Sequence, residues 1–71
     1  MTILDLIKVI KSDKHIEIRY ESDNTEILEF WSFMYFEGSY LEPSDREMIE
    51  TVSVSSFDFE DETLIVYVEH I

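Results

Sequence analysis

The stretch SFDFEDET, residues 56–63, places four carboxylates in the five positions from Asp58 to Glu62. It lies between two runs that are typical of β-strands, VSVSS before it and LIVYV after it. Carboxylates are costly to bury without partners, and this stretch contains no base. The sequence therefore predicts an exposed acidic turn or strand edge beside the most apolar strands of the fold.

The length and composition of the chain predict one small folded domain, residues 1–71. A chain of this size buries only about 60% of its unfolded surface, so we do not expect a deep enclosed active site. With 45% hydrophobic and 14% aromatic residues the chain is apolar enough to fold despite a formal net charge of −12. It contains no Cys, which excludes disulfides and thiolate metal sites.

The acidic balance also limits the partners of the chain. No apolar run reaches the roughly 18 residues that span a bilayer, and MTILDLIKVIK lacks a secretory signal pattern, so we expect the cytoplasm, that of a host bacterium if the protein is viral. Membrane surfaces and nucleic acids are normally held by Lys and Arg. We therefore expect neither to be a direct partner.

The first residues predict an amphipathic helix from Thr2 to Lys11. Thr2 is a candidate N-cap and Asp5 a candidate capping-box acid three residues later. The helical spacing is carried by the apolar residues Ile3, Leu6, Ile7 and Ile10.

Residues 15–21 alternate between apolar and polar side chains, which predicts a half-buried strand followed by a hairpin. Asn24 is the turn residue that best tolerates positive φ. The pairs expected from the apolar pattern are Tyr20 with Leu28, Ile18 with Phe30, Ile16 with Ser32 and, on the outer face, Arg19 with Glu29.

The second strand of this hairpin is predicted to continue through EILEFWSFMYFEG to Gly38. Its outer side would then carry Trp31, Phe33 and Tyr35. Either another part of the chain covers these aromatic residues or they form a dimer or partner surface.

The remaining residues predict mainly strands. Ser44 and Glu47 fit a capping box, which favours a short helical turn over 45–50. A strand over 51–59 with a bulge at Ser55-Ser56 and a central strand over 64–69 follow. The predicted architecture is α+β: an N-terminal helix packed on a mainly antiparallel four-stranded sheet.

Catalysis is not expected, because the carboxylates follow turn and strand periodicity on exposed surface instead of facing a dry cleft. His15 and His70 belong to no spaced ligand motif, and residues 58–62 lack the glycine and spacing of an EF-hand loop. We therefore predict no cofactor and no dedicated metal site.

The distribution of charge is the most informative feature for function. Residues 1–20 hold four bases and three acids, whereas residues 21–71 hold 14 acids and Arg46 alone. Alternate positions on a strand lie roughly 6.6 Å apart on one face, so carboxylates can form rows that meet the basic rows of a DNA-binding protein. The acids predicted to contact such a partner are Glu42, Asp45, Glu47, Glu50, Asp58, Glu60, Asp61 and Glu62.

The N-terminal MTILDLIKVIKSDKHIEIRY resembles the opening of a type II-A anti-CRISPR family, in which a D-L-I-x-x-I-K helix leads into an alternating strand. The residues that carry the resemblance are Asp5, Leu6, Ile7, Ile10 and Lys11. The chain departs from that family after Gly38. The resemblance implies a small, acidic, phage-encoded inhibitor that acts as a DNA mimic on a host protein.

The first hypothesis is therefore a non-enzymatic DNA mimic that occupies the DNA-binding surface of a bacterial protein, such as a nucleoid protein like HU, a CRISPR nuclease or a restriction enzyme. A homodimer is expected. The alternative is a small adaptor or dimerisation domain that binds a protein through Trp31, Phe33 and Tyr35, with acidity serving solubility only.

Overall fold

The protein has an α+β fold, as predicted. The computed structural model describes residues 1–10, 12–38 and 40–69. In chain order the elements are α1 (Ile3–Lys8), β1 (His15–Tyr20), β2 (Glu26–Trp31), α2 (Ser32–Phe36), α3 (Pro43–Thr51), β3 (Ser56–Glu60) and β4 (Thr63–Val68). Within these ranges no helix is both long and apolar enough to cross a membrane.

The four strands form one mixed sheet in the order β2-β1-β4-β3. The two outer pairs, β1 with β2 and β3 with β4, are antiparallel, whereas the central pair, β1 with β4, is parallel. The predicted four strands are correct, but the sheet is mixed instead of mainly antiparallel. The reason is that α2 and α3 lie between β2 and β3 and return the chain, so that β3 runs in the same direction as β2 and β4 in the same direction as β1.

Helix α1 begins as the sequence predicts. The Thr2 hydroxyl oxygen accepts a hydrogen bond from the backbone N–H of Asp5, and the Asp5 carboxylate accepts one from the N–H of Thr2. The helix ends at Lys8, and Lys11, the predicted end, lies outside the described residues. Contrary to the prediction of a helix packed simply on the sheet, α1 packs mainly against α3.

The hairpin of β1 and β2 forms, with Asn24 at φ 64° as expected. Its register differs by two residues from the prediction, because Ile18 pairs with Leu28 and Ile16 pairs with Phe30. A shift of two keeps every side chain on its face, so the apolar and polar sides are unchanged. A register shift after Ile18 also places Arg19 opposite Glu26 instead of Glu29.

The predicted long second strand is wrong, because the chain leaves the sheet at Trp31 and α2 begins at Ser32. Asp13 accounts for this change of direction. Its carboxylate accepts hydrogen bonds from the Ser32 hydroxyl, at 2.8 Å, and from the N–H of Phe33, at 3.0 Å. These bonds satisfy donors at the start of α2 from a residue about 20 positions earlier, which a local pattern does not reveal.

Helix α3 is longer than the predicted turn and starts differently. Glu42 occupies the N-cap position, Pro43 follows at the first turn, and the predicted capping box of Ser44 and Glu47 does not form. Proline suits this position because it lacks the N–H that would be unsatisfied there.

The predicted strand over 51–59 is shorter, since β3 begins at Ser56. The N–H of Ser55 donates to the carbonyl of Tyr67, and Ser56 also pairs with Tyr67. The register of β3 with β4 runs without a shift from Ser56 to Glu60, so the predicted bulge is not seen within this strand pair.

One apolar cluster joins all three helices to one face of the sheet. Its buried members are Ile3, Leu6, Ile7, Ile16, Ile18, Phe30, Tyr35, Met48, Ile49, Leu64, Val66 and Val68. Ile65 is also buried but lies outside this cluster, because its side chain points to the opposite face of β4. The helices of the described chain thus cover one face of the sheet and leave the other without a helix.

Candidate acidic sheet face

The uncovered side of the sheet, which we call the open face, carries most of the polar strand residues. Strand alternation and the observed register place there His15, Glu17, Arg19, Glu26, Glu29, Trp31, Ser56, Asp58, Glu60, Thr63, Ile65 and Tyr67. Five of these are acidic. Arg19 is the one residue with a permanent positive charge among them, and His15 is the other basic side chain.

The strand register orders these residues in rows across the sheet. One row runs through Glu29, Glu17, Ile65 and Asp58, from the edge strand β2 to the edge strand β3. Glu29 lies on edge strand β2 and Asp58 lies on edge strand β3, so their carboxylates are at opposite ends of this row. Neighbouring strands in the row are about 4.8 Å apart. The open face is therefore acidic at both edges, with an apolar residue between.

Three carboxylates converge at the β1–β2 edge. Oxygens of Glu17, Glu26 and Glu29 lie within 4.8 Å of one another. Glu17 accepts a hydrogen bond from the Arg19 guanidinium at 2.8 Å. This single positive charge cannot neutralise all three carboxylates of the cluster. Partial desolvation, and then the charge of Glu29, raise the pKa of Glu26. This cluster could hold a hard cation or a basic side chain of a partner.

The structure divides the acids predicted around SFDFEDET between strand and turn. Asp58 and Glu60 lie on the open face of β3 and alternate with Phe57 and Phe59, which point to the helix side. Asp61 and Glu62 form the turn to β4, with Asp61 at φ 58°. The row expected through Asp58, Glu60 and Glu62 therefore ends at Glu60, because the chain turns there.

The second predicted acidic patch lies elsewhere. Glu42 precedes α3 and Asp45, Glu47 and Glu50 lie on it, in the layer that packs on the opposite side of the sheet. Three of these four are exposed and Asp45 is half-buried. The two predicted patches are thus not one continuous row, because α3 is held against α1 and the core by Met48 and Ile49.

Glu50 has a structural partner. Its carboxylate accepts a hydrogen bond from the Tyr35 hydroxyl, and this bond, followed by burial, raises the pKa of Tyr35. The Arg46 guanidinium lies 4.4 Å from the Tyr35 ring centroid and donates to the Tyr35 carbonyl. Glu50 therefore contributes to packing between α2 and α3.

The predicted aromatic surface of Trp31, Phe33 and Tyr35 does not form. Tyr35 is buried in the core, whereas Trp31 lies at the end of β2 on the open face and Phe33 lies on α2. A strand would have put all three on one side, but a helix turns successive odd positions to different sides. Trp31 and Phe33 remain exposed, each on its own surface.

The sequence reasoning missed Glu17 and Glu29 as members of an acidic surface, and it did not place Glu26 beside them. It selected acids by their density along the chain, and these acids are separated by other residues on alternating strands. The signal that could have found them is the strand alternation itself, which already placed Glu17, Arg19 and Glu29 on the outer face.

The exposed carboxylates of the open face are suited to electrostatic contact more than to acid–base chemistry, which requires a partly dry site. Comparison of the chain with protein-family models, with curated proteins and with solved structures finds no match.

Proposed function

We propose that this protein is a non-enzymatic inhibitor that occupies the DNA-binding surface of a basic bacterial protein, with its carboxylates in place of DNA phosphates. The observation that carries this proposal is the open face, where five acidic side chains accompany one arginine and one histidine on a sheet side without a covering helix. The phage origin implied by the N-terminal resemblance is part of the same proposal.

Charge and rigidity both support this function. Acids held on paired strands keep their spacing, because each strand is fixed to its neighbour by backbone hydrogen bonds. DNA carries one negative charge per roughly 3.4 Å of each strand, and its protein partners answer with Lys and Arg. A fixed array of carboxylates can meet those bases with little loss of conformational freedom on binding.

The electrostatic repulsion within this surface, which lowers the stability of the fold, is a further argument for a binding function. Like charges at the Glu17, Glu26 and Glu29 cluster repel one another, and a few lysines on the open face would relieve that repulsion. Solubility alone does not require such a cluster, since mixed charges also keep a domain soluble. A partner that supplies the missing bases explains the arrangement better.

The test is competition with DNA. The immobilised protein would be incubated with bacterial lysate at low salt and eluted with rising salt, with duplex DNA or with an uncharged polymer. We expect captured basic proteins to leave with salt or duplex DNA and to remain with the polymer. A captured partner that is indifferent to duplex DNA contradicts the proposal.

Matched charge variants locate the binding surface. The triple variant Glu29→Gln, Asp58→Asn, Glu60→Gln removes three charges from the open face. The control Glu37→Gln, Glu42→Gln, Glu47→Gln removes three from exposed positions elsewhere. We expect the first to weaken binding about tenfold or more and the second clearly less. Equal losses would assign binding to total charge instead of to this face.

An adaptor function is a second candidate, because exposed aromatic residues remain on the surface around α2. Phe33, Phe36 and Tyr40 are between 38% and 57% exposed. Phe33→Ser with Phe36→Ser should abolish partner capture under this alternative and leave it intact for a DNA mimic. The homodimer stays a prediction, for which sedimentation equilibrium is the measurement.

A further inference from the structure

A cleft opens at one end of the open face, between the last residue of β2 and the turn from β3 to β4. Its volume of about 630 Å³ is within the range of small-ligand sites. The residues that line it are His15, Glu29, Trp31, Asp61, Glu62 and Thr63.

The histidine of this cleft is fixed by hydrogen bonds from both sides. Its Nε2 lies 2.8 Å from a carboxylate oxygen of Glu29 and its Nδ1 lies 3.2 Å from the hydroxyl of Thr63. A neutral ring that donates from Nε2 and accepts at Nδ1 satisfies both contacts. The His15 ring also lies 5.4 Å from the Trp31 ring, which it supports from one side.

The electrostatic character of the lining is strongly anionic. Three of its six residues are carboxylates, and among the described residues that form the cleft there is no Lys or Arg. Glu29 gives one oxygen to His15, and its carboxylate also faces those of Glu17 and Glu26, so it belongs both to this cleft and to the acidic cluster at the β1–β2 edge. Trp31 is 47% exposed and presents an indole surface beside these charges.

We propose that this cleft binds the guanidinium group of an arginine side chain supplied by a partner protein. A guanidinium is planar, can donate two parallel hydrogen bonds to a carboxylate and stacks on an aromatic ring. It therefore uses both chemical features of the lining at once, the carboxylates of Glu29 and the turn acids for hydrogen bonds and the indole of Trp31 for stacking.

Other occupants fit these features less well. A lysine ammonium is a compact, strongly hydrated charge that gains less from stacking. The base of a nucleotide could stack on the indole, but the phosphates of that nucleotide would meet three carboxylates. A bare metal ion would make no use of the tryptophan. The arginine assignment rests on the proposed function, because it names the group through which a basic partner is held.

Trp31 supplies a direct readout, because it is the only tryptophan in the chain. Its fluorescence would be followed while the protein is titrated with tri-arginine, tri-lysine and tri-citrulline peptides. Tri-lysine has the same charge as tri-arginine, and citrulline keeps the arginine shape without the charge. We expect tri-arginine to bind about threefold to tenfold more tightly than tri-lysine, and tri-citrulline to cause no change.

A matched pair of variants ties the binding to the cleft. Glu29→Gln removes a charge from the lining while keeping an acceptor for His15, and Glu47→Gln removes one charge from an exposed position on α3. The first should weaken tri-arginine binding about threefold to tenfold and the second by no more than about twofold. Far-UV circular dichroism confirms that both variants are folded.

Equal affinity for tri-arginine and tri-lysine, or equal losses in Glu29→Gln and Glu47→Gln, would overturn this inference. Peptide binding would then be due to the overall negative charge of the protein instead of to this cleft. The peptide result is independent of DNA competition by a captured protein. Selective arginine binding without DNA competition supports the cleft and contradicts the DNA mimic. DNA competition without arginine selectivity contradicts the cleft alone.

Discussion

The two faces of the sheet are built from the same strands but differ in almost every physical respect. On the side covered by helices, Ile16 and Ile18 of β1 and Leu64 and Val66 of β4 are 0% exposed. On the open face, the same strands alternate with charged and polar side chains, and Ile65 alone among the described residues of that face is fully buried. Stability is therefore concentrated on one side and charge on the other.

This difference indicates a separate role for each face of the sheet. Apolar burial on the helix side supplies the favourable free energy of folding, at roughly 25 cal/mol per Å² of buried apolar surface. The carboxylates of the open face add little to that and, where they crowd at Glu17, Glu26 and Glu29, oppose it. A surface that reduces stability is a reasonable place to look for binding.

The largest expected effect compares adjacent residues on opposite faces. Phe30→Ala removes a ring that is 1% exposed in the core, and we expect it to lower the free energy of unfolding by about 3–5 kcal/mol. That is a large part of the total for a domain with about 0.05–0.15 kcal/mol per residue. Urea denaturation followed by circular dichroism measures the loss.

Trp31→Ala is the matched control, since Trp31 follows Phe30 but lies half-exposed on the open face. We expect a cost of about 1 kcal/mol or less. If both substitutions cost the same, the open face is packed as tightly as the core and the contrast between the faces fails.

Several parts of the fold could be predicted because their causes are local. The Thr2 and Asp5 capping box depends on residues three apart, and Asn24 has the short polar side chain that tolerates positive φ. The apolar run over 64–69 indicated a central strand because both of its sides are apolar, and β4 is indeed central.

Other parts depend on contacts that the sequence does not display. The aromatic run after Phe30 has strand composition, yet Asp13 binds the first residues of α2 and the chain becomes helical. The hairpin register was misplaced by two because the apolar pattern repeats every two residues and fits either pairing equally well. The parallel pair of β1 and β4 follows from chain connection, which local patterns cannot specify.

The candidate site could be predicted in part. The acidic run placed Asp58 and Glu60 at an exposed strand, but the density of acids along the chain also selected Glu47 and Glu50, which belong to the helical layer. The cleft around His15 joins residues from three separate segments. Such a site depends on strand order, which the sequence left open.

A smaller effect is expected at the helix starts, where α1 has a capping box and α3 does not. Thr2→Ala removes the acceptor for the N–H of Asp5, and we expect a loss of about 1 kcal/mol in the free energy of unfolding. Ser44→Ala should change it by no more than about 0.5 kcal/mol, because Ser44 lies inside α3 and caps nothing. Thermal and urea denaturation of both variants measure the difference, and a larger loss for Ser44→Ala would contradict the observed start of α3.

The smallest effect compares two carboxylates whose pKa values are shifted in opposite directions. Hydrogen bonding, first to the backbone of Thr2, lowers the pKa of Asp5 from its ordinary 3.8, so its stabilising contribution is present above that pH and is lost as pH falls through the folded-state value. Partial desolvation, and then the charge of Glu29, raise the pKa of Glu26 above its ordinary 4.5, so its contribution is present below that pH and is lost as pH rises through the folded-state value.

At pH 7 and low salt, Asp5→Ala should therefore be less stable than the wild type and Glu26→Gln more stable. The loss in Asp5→Ala should shrink once pH falls below 3.8. The gain in Glu26→Gln should shrink as pH falls through the raised folded-state pKa of Glu26 and should be largely lost below 4.5. Added salt should reduce the part of the Glu26→Gln gain that comes from the neighbouring charge, because salt screens exposed charges. Thermal denaturation midpoints between pH 3 and pH 7 measure both series.

A Glu26→Gln variant that is less stable than the wild type at pH 7 would mean that the acidic edge of the open face stabilises the fold. The division of stability and charge between the two faces would then be wrong.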